Sequence, residues 1–283
     1  MPSRTGFQLA LHPDPCPSMT VERGPSNQGV GWWVPEMKHT YLAKYISATR
    51  KAQVKFPRRV LIDPFCGPGR VQVKGESFTR DGGSMVAWRQ SVASECSFTN
   101  VLVGDIDAER SAACQARLVA AKAPVQRFDG AAIDTVNQMV AAVPRGALCL
   151  AYIDPYNLEY LSFSIIKQLA QLEHVDIAVH FSLMDLVRNV DMELDPSRDR
   201  FDGANPGWRG RAPAVSKASL ASWFFSDWCE RIRELGFTVS HSMPPIDDGN
   251  GRALYRLVFF SRHALPDRIW GDVTKNPSMS LFD

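Results

Sequence analysis

Short apolar runs alternate with stretches of helical spacing along most of the chain. Runs of three to seven apolar residues bounded by turn residues are typical of parallel strands that are covered on both faces. Five such runs predict strands at residues 60–63, 101–105, 125–128, 147–153 and 175–181. Apolar positions recur at helical spacing in residues 33–50, 84–92, 108–122, 131–142, 161–172 and 217–235, with Ser84 as the expected N-cap of the second of these helices. The alternation predicts an α/β domain on a parallel sheet.

The pattern is interrupted in three places, which suggests how the chain is divided. Residues 1–31 are rich in proline without sustained periodicity, so we expect a mobile arm or an irregular cover. Residues 186–216 form an insertion dense in Arg, Asp, Gly and Pro, a length typical of functional lids or disordered loops. Its arginines and Trp208 suit phosphate contact and base stacking, and a merely solvated loop is an equal alternative. The predicted domain covers residues 32–275, and residues 276–283 form a tail.

The composition bounds the class of protein. With 283 residues, of which 45% are hydrophobic and 22% charged, the chain can bury a full core as one domain. Its formal net charge of +2 neither requires nor excludes a nucleic-acid partner. The six cysteines are scattered without a CxxC pair, which favours reduced thiols over a zinc site or disulfides. No apolar run suits a membrane span or a signal sequence, so we expect a cytoplasmic protein without a metal.

The first predicted strand leads into a glycine turn, Asp63-Pro64-Phe65-Cys66-Gly67-Pro68-Gly69. A turn without side chains lets backbone N–H groups approach a ligand that lies across the strand end. We predict that Asp63, Cys66, Gly67 and Gly69 bind a cofactor. An ordinary connection that contains two glycines is the alternative, and the motifs that follow favour the cofactor.

Two further strands also end in acids. A carboxylate at the end of the second strand of a nucleotide-binding sheet can accept hydrogen bonds from ribose hydroxyls, and Asp105 fits this role better than Asp107. Asp105 follows the turn by more than the ~20 residues of a dinucleotide fingerprint, which weakens an NAD interpretation. After the third strand, Asp129 could hold the exocyclic amine of an adenine. Capping of the next helix by Asp129 or Asp134 is an equal alternative.

The most apolar strand, residues 147–153, ends in Asp154-Pro155-Tyr156. Seven consecutive apolar residues predict a position at the centre of the sheet. A carboxylate and the neighbouring backbone carbonyl are both acceptors, and with an aromatic ring they suit an exocyclic amino group on a stacked base. We therefore predict that Asp154, Pro155 and Tyr156 form the catalytic site, with an ordinary Asp-Pro turn as the alternative.

The end of the chain decides the predicted fold class. Residues 236–241 and 253–261 read as strands around a turn rich in Pro, Asp and Gly, which predicts an antiparallel hairpin. A parallel sheet that ends in such a hairpin is the Rossmann-like topology of class I S-adenosylmethionine methyltransferases, whereas an NAD-binding domain has a parallel sixth strand. We predict this α/β fold, mostly parallel with a C-terminal antiparallel hairpin.

Several short motifs, in order, resemble the three-Cys-motif partner (TcmP) protein family over about residues 32–271. They are Lys38-His39-Thr40, the glycine turn, Gly83-Ser84, Asp105, Ile153-Asp154-Pro155-Tyr156, the last strand and Trp270-Gly271. The resemblance implies a methyltransferase-like fold and a partner protein encoded nearby, whose cysteines give the family its name.

A weaker similarity links the Lys-His-Thr segment and the Asp-Pro motif to bacterial ribosomal RNA adenine-N6 methyltransferases. It implies that Lys38 meets the methionine carboxylate of the cofactor and that Asp154 meets the target amine. Those enzymes carry Asp-Pro-Pro-Tyr where this chain has Asp-Pro-Tyr-Asn, and Asp-Pro-aromatic signatures also occur in guanine-N2 tRNA methyltransferases. The similarity therefore leaves the base open.

These observations together predict an S-adenosylmethionine-dependent methyltransferase that acts on an exocyclic amine of a nucleic-acid base, in RNA or DNA. Asp63 would meet the amino end of S-adenosyl-L-methionine, Asp105 its ribose and Asp129 its adenine. Two alternatives stay open: a non-catalytic partner subunit that acts through protein contacts, and a small-molecule methyltransferase.

Overall fold

A computed structural model of the chain describes residues 7–275. The predicted tail at 276–283 and the first six residues of the arm lie outside the described residues. The strands are β1 (Arg59–Asp63), β2 (Arg70–Gln72), β3 (Thr79–Asp81), β4 (Asn100–Asp105), β5 (Val125–Asp129), β6 (Leu148–Ile153), β7 (His174–Ser182), β8 (Thr238–Val239), β9 (Pro245–Asp247) and β10 (Ala253–Ser261). The helices are α1 (Thr40–Gln53), α2 (Gly83–Ala93), α3 (Ala108–Ala120), α4 (Ala132–Ala142), α5 (Phe163–Leu169), α6 (Leu183–Asn189), α7 (Lys217–Glu234) and α8 (Ala264–Lys275).

The main sheet has the strand order β5-β4-β1-β6-β7-β10-β8, and β9 pairs with β10. The strands from β5 to β7 run parallel to one another. β10 lies antiparallel between β7 and β8. A reversed last strand inserted beside the fifth parallel strand is the sheet of class I methyltransferases, so the predicted fold class is confirmed.

The apolar run of β6 is continuous because both faces of this strand are buried. Ala151 and Ile153 pack into one core cluster with residues of α4 and α5. Leu150 and Tyr152 point to the opposite face and join a second cluster with residues of α1 and α2. Helices therefore cover both sides of the sheet, as burial of parallel strands requires.

Several elements differ from the sequence prediction. A π-helical turn, Val34–His39, precedes α1, and a short hairpin of β2 and β3 occupies a stretch without any strand pattern. α2 begins at Gly83 with Gly82 as its N-cap, so the expected cap at Ser84 is wrong. The hydroxyl of Ser84 instead binds a carboxylate of the crevice described below. α8 was not predicted, and no described helix is long and apolar enough to cross a membrane.

The insertion at 186–216 is packed into the domain. After α6 it contains two short 3₁₀ turns, Met192–Leu194 and Trp208–Gly210. The side chains of Phe201 and Trp208 are fully buried, and Trp208 packs edge-on against Phe224 of α7, with ring centroids 5.2 Å apart. Aromatic contacts of this kind fix the course of a segment that lacks regular secondary structure.

The described part of the N-terminal arm lies against β2 and α3. The N–H groups of Glu22 and Val30 donate to carbonyls of β2 at 2.9 and 2.8 Å. Arg117 of α3 is fully buried and binds both carboxylate oxygens of Asp14 at 2.9 Å. The same guanidinium donates to the carbonyl of Pro68 at 2.6 Å. The arm is thereby linked to the glycine turn through one side chain.

Candidate active site

The carboxyl ends of β1, β4 and β6 lie side by side at the middle of the sheet. From β4 the sheet continues to β5 on one side of β1, and from β6 it continues to β7 on the other side. Open α/β sheets bind ligands in the crevice at such a switch point. Asp63 ends β1, Asp105 ends β4, and Asp154 follows β6 directly. The charges of Asp154 and Asp105 both raise the pKa of Asp63, after the larger effect of its burial. Three of the predicted carboxylates are therefore brought to one crevice.

The glycine turn after β1 adopts a backbone that requires glycine. The angle φ is +55° at Gly67 and +73° at Gly69, a region that residues with a Cβ rarely adopt. A Cβ at Gly69 would lie 3.1 Å from Sγ of Cys114 on α3, so the turn also packs closely on that helix. The N–H of Gly67 donates to Oδ2 of Asp105 at 3.0 Å. The turn and the acid of β4 thus form one surface.

Cys66 is buried beneath this turn. Its thiol donates to the carbonyl of Gly67 at 3.2 Å. Burial raises the pKa of Cys66, and the neighbouring thiol of Cys114 raises it further, so the side chain is a neutral packing group and no nucleophile. The predicted contact of Cys66 with a cofactor stays a prediction.

Asp105, the last residue of β4, and Asp107, two residues beyond it, have different roles. Asp105 is nearly buried, and its carboxylate accepts hydrogen bonds from the N–H groups of Gly67 and Asp107, both at 3.0 Å. Asp107 is the N-cap of α3 and accepts from the N–H of Glu109 at 2.9 Å. Capping accounts for Asp107, and the carboxylate of Asp105 faces the glycine turn. The contact of Asp105 with a ribose stays a prediction.

Asp129 lies beside Asp105 on the neighbouring strand. Its carboxylate accepts from the hydroxyl of Ser111 at 2.5 Å and pairs with Arg127 at 3.1 Å. The N-cap of α4 is Ala131, without a side-chain hydrogen bond, so neither acid named as an alternative cap fills that role. Sequence reasoning missed the exposed apolar side chain of Ile106, which lies between Asp105 and Asp107. The sequence feature that could have identified Ile106 is an apolar residue directly after the end of a strand.

Asp63 is the most deeply buried of these acids. Its oxygens accept from the hydroxyl of Ser84 at 2.5 Å and from the N–H of Phe65 at 3.1 Å. Burial raises the pKa of Asp63 to about 7, because those hydrogen bonds only partly offset the desolvation and the two neighbouring carboxylates. Asp63 therefore exchanges a proton near neutral pH.

Lys38 forms an ion pair with Asp154. Its ammonium donates to Oδ1 at 2.5 Å, and both side chains are largely shielded from solvent. The hydroxyl of Tyr152 lies 3.4 Å from Oδ2, a long contact. Burial alone would raise the pKa of Asp154, but Lys38, followed by His180, lowers it on balance. The turn before α1 and the end of β6, far apart in the sequence, thus meet at a charged pair.

Pro155 and Tyr156 follow this aspartate in different environments. Pro155 is buried, whereas 61% of the Tyr156 side chain is exposed. The ring of Tyr156 makes no aromatic contact with residues 7–275. It is therefore free to cover a planar group that enters from solvent.

No catalytic role was predicted for the two histidines that lie near Asp154. His180 of β7 is fully buried, its ring packs edge-on against Tyr152, and neither ring nitrogen has a hydrogen-bond partner within the described chain. Burial lowers the pKa of His180 to about 3 and that of His39 to about 4. Both rings are neutral at physiological pH. His180 was not predicted as a site residue because it lies within the apolar strand pattern of residues 175–181.

Four arginines of the insertion bind acids of the described chain, and Arg188 is the exception. Arg209 pairs with Asp202, and Arg211 pairs with Asp227 at 2.7 Å. The indole N–H of Trp208 donates to Asp202 at 3.1 Å, and the ring is buried. The stacking role that the sequence allowed for Trp208 is therefore wrong. Within residues 7–275, no group of three or more His, Cys, Asp or Glu side chains is arranged to hold a metal ion.

No protein-family model matches the chain, and no curated protein matches it. Solved structures do. The cofactor-bound Rv0187 protein from MTB is 14% identical over 80% of this chain and 80% of that chain, with a TM-score of 0.45. An O-methyltransferase from Bacillus cereus in complex with SAH is 10% identical over 77% and 79%, with a TM-score of 0.44. An rRNA methylase from Streptococcus thermophilus is 10% identical over 80% and 94%, with a TM-score of 0.40. Likeness of this degree says nothing about the substrate of this chain.

Proposed function

We propose that this chain is an S-adenosylmethionine-dependent methyltransferase that acts on an exocyclic amine of a nucleic-acid base. The observation that carries the proposal is the crevice at the end of β1, where Asp105, bound to the glycine turn, and Asp154 both lie near Asp63. One side of this crevice offers backbone donors and a carboxylate to a nucleoside. The other side offers acceptors to an amine. The strand order of the methyltransferase fold supports the same reading.

The residues of the glycine turn and β4 fit the cofactor. Each oxygen of Asp105 is held by one backbone donor and retains a lone pair for a ribose hydroxyl. Asp63 would meet the ammonium group of the methionine part, since a buried carboxylate gains most from a cation. When bound, the cofactor supplies an electrophilic methyl group on sulfur. Asp129 would accept from the adenine amine, with Ile106 against the ring.

The residues after β6 fit the acceptor. Because Lys38 occupies Oδ1 of Asp154, the acceptors left for an amine are Oδ2, which receives only the long contact from Tyr152, and the carbonyl of Pro155. Two N–H bonds to these atoms would orient the nitrogen lone pair, and alignment of this kind supplies up to ~7–11 kcal/mol in well-oriented reactions. An ammonium has three donors, so contact of Lys38 with the carboxylate of the cofactor remains part of the proposal. Arg188 on α6 is exposed and has no acidic partner among residues 7–275, which suits a phosphate.

Specific observations favour each alternative. The Lys38–Asp154 pair already neutralises the acceptor carboxylate, as expected for a non-catalytic subunit that has kept the fold, and the resemblance to the three-Cys-motif partner family points the same way. The neutralised arginines of the insertion leave fewer cations for a nucleic acid, which favours a small-molecule methyltransferase.

Calorimetric titration with S-adenosylmethionine tests the cofactor half of the proposal. Wild type should bind, and Asp105→Asn should bind about 10-fold to 100-fold more weakly, because a hydrogen bond to a charged group contributes ~1.5–3 kcal/mol. Asp107→Asn is the matched control, since asparagine also caps helices and this variant should bind like wild type. Absence of binding to wild type would exclude both methyltransferase readings.

Transfer of a labelled methyl group tests the acceptor half. Wild type should label RNA or single-stranded DNA, and Asp154→Asn should lose at least 100-fold in rate while still binding the cofactor. Cofactor binding without transfer to any nucleic acid would favour the partner subunit. Transfer to small amines alone would favour the third reading.

A further inference from the structure

Tyr255 belongs to the acceptor side of the crevice, although it comes from the last strand of the sheet. It pairs with Ser182 at the carboxyl end of β7, so β10 delivers its side chain to the edge where Asp154 lies. The ammonium of Lys38 lies 4.6 Å from the centroid of the Tyr255 ring while it donates to Asp154. The phenol and the carboxylate are thus held against the same ammonium.

The hydroxyl of Tyr255 is an unused donor. It makes no hydrogen bond with any residue in the described range, and it is not among the sealed polar atoms that lack a partner, so it remains reachable. Tyr45 and Tyr152 of the core cluster beneath it differ: the hydroxyl of Tyr45 donates to Asp176 at 2.8 Å, and that of Tyr152 lies against Asp154. Burial raises the pKa of Tyr255, and the charge of Asp154 raises it further. The phenol therefore keeps its proton.

A carboxylate beside a neutral phenol presents an acceptor next to a donor. We propose that Tyr255 contacts the substrate, and that its hydroxyl donates to the ring nitrogen next to the methylated amine. The Watson–Crick edges of adenine and cytosine present an amine beside an unprotonated ring nitrogen. Guanine presents its amine beside an N–H on that edge, and its unprotonated N3 lies on the ribose side of the amine. This inference rests on the proposed function and narrows it to adenine or cytosine.

Both bases would be read on an edge that is available only in a single strand or after flipping. A site built to donate to that ring nitrogen rejects an analogue without it, because the donor is then left unpaired. Tyr255 would in this way select the base whose amine is aligned with the methyl group of the cofactor.

The test measures kcat/KM for methyl transfer to poly(A), poly(C) and poly(G), and to adenine oligonucleotides in which 1-deazaadenine replaces adenine. Wild type should prefer adenine or cytosine to guanine. If adenine is the substrate, wild type should lose about 10-fold on the 1-deaza analogue; if cytosine is the substrate, 3-deazacytosine takes its place. Tyr255→Phe keeps the ring against Lys38 and should lose about 10-fold on the natural base, with no further loss on the analogue.

Tyr160→Phe is the control, because that ring is half-exposed and its hydroxyl has no partner in the described chain. It should behave like wild type on every polymer. Calorimetry should show unchanged cofactor affinity for Tyr255→Phe, which separates lost recognition from lost folding. If wild type and Tyr255→Phe lose the same factor in kcat/KM on the deaza analogue, this inference is wrong. The proposed function is not affected by that result, because methyl transfer still occurs. No transfer by wild type to any polymer overturns both.

Discussion

Three carboxylates share the crevice, and each is held differently. Asp154 has an ammonium at 2.5 Å, and Asp105 has two backbone N–H donors. Asp63 has one N–H and one hydroxyl and lies between the other two charges. Like charges and burial both disfavour ionisation, so the proton of the crevice resides on Asp63 up to about neutral pH.

The stability of the protein should fall as the pH rises toward 7, and Asp63 is the cause. Its pKa is about 7 in the folded protein and about 3.9 when unfolded. Below pH 4 the group is protonated in both states and has no effect. Between pH 4 and 7 the unfolded chain loses the proton first, so folding loses up to ~4 kcal/mol, and that loss persists above pH 7.

Urea denaturation of wild type and Asp63→Asn at pH 5 and pH 8 measures this effect. The asparagine variant should lack the extra loss at pH 8, since its side chain does not ionise. Equal pH dependence of the two proteins would contradict the raised pKa of Asp63.

At the scale of elements, the glycine turn depends on both its backbone angles and its contact with α3. Gly69 and Gly75 have similar angles, with φ of +73° and +84°, but a Cβ at Gly75 meets no atom within 4 Å. The pair therefore separates the cost of a left-handed backbone from the cost of close packing.

Gly69→Ala should destabilise the protein by ~1–3 kcal/mol more than Gly75→Ala, because the added methyl group meets Cys114. Gly75→Ala should cost only the ~1 kcal/mol of an alanine at positive φ. Thermal denaturation of both variants gives the difference. Similar losses in the two would mean that α3 can yield to the methyl group.

The insertion is stabilised by charges around Glu193. This carboxylate is fully buried without a hydrogen bond from residues 7–275, and its nearest cations are Arg198 at 3.8 Å and Arg209 at 4.0 Å. Arg209 also donates to the backbone carbonyl of Glu193 at 2.6 Å. Arg209 therefore connects its own turn to Glu193 and, through its ion pair, to Asp202.

Arg209→Ala should lower the free energy of unfolding by about 3–5 kcal/mol, because it leaves a buried charge uncompensated. Arg233→Ala, which removes an exposed pair within α7, should cost less than ~0.5 kcal/mol. Chemical denaturation compares the two. A small loss for Arg209→Ala would show that Arg198 alone balances Glu193.

At the scale of the whole molecule, side chains of α3 connect the arm to the glycine turn and to Asp105. Arg117 joins Asp14 of the arm to Pro68 of the glycine turn. Glu22 of the arm also pairs with Arg110, whose guanidinium approaches Asp105. The arm thus contacts the scaffold of the proposed cofactor site at two places.

Asp14→Ala should lower stability by about 3 kcal/mol, because Arg117 loses its charged partner while buried. It should also weaken binding of S-adenosylmethionine, since the guanidinium that holds Pro68 is released. Asp191→Ala removes a half-exposed pair with Lys217 and is the control. Calorimetry and urea denaturation measure the two effects. Unchanged cofactor affinity in a destabilised Asp14→Ala protein would show that the turn does not depend on the arm.

The sequence by itself determined the fold class and the order of the crevice residues. Apolar runs of strand length are a local property, and the carboxyl ends of parallel strands share one edge of a sheet. These two properties predict that Asp63, Asp105 and Asp154 lie close together. The strands β2 and β3 were not predicted, because each is only three residues long, and a bridge from Glu22 of the arm pairs with β2.

Only the tertiary structure decided which partners each charge finds. Lys38 and Asp154, Arg117 and Asp14, and Tyr255 beside Lys38 are pairs distant in sequence, and no periodicity encodes them. The same holds for Trp208, which looks like a stacking residue in a polar loop and is buried against α7. Side-chain pairing depends on how the elements pack in space, whereas the sequence pattern records only which face each element buries.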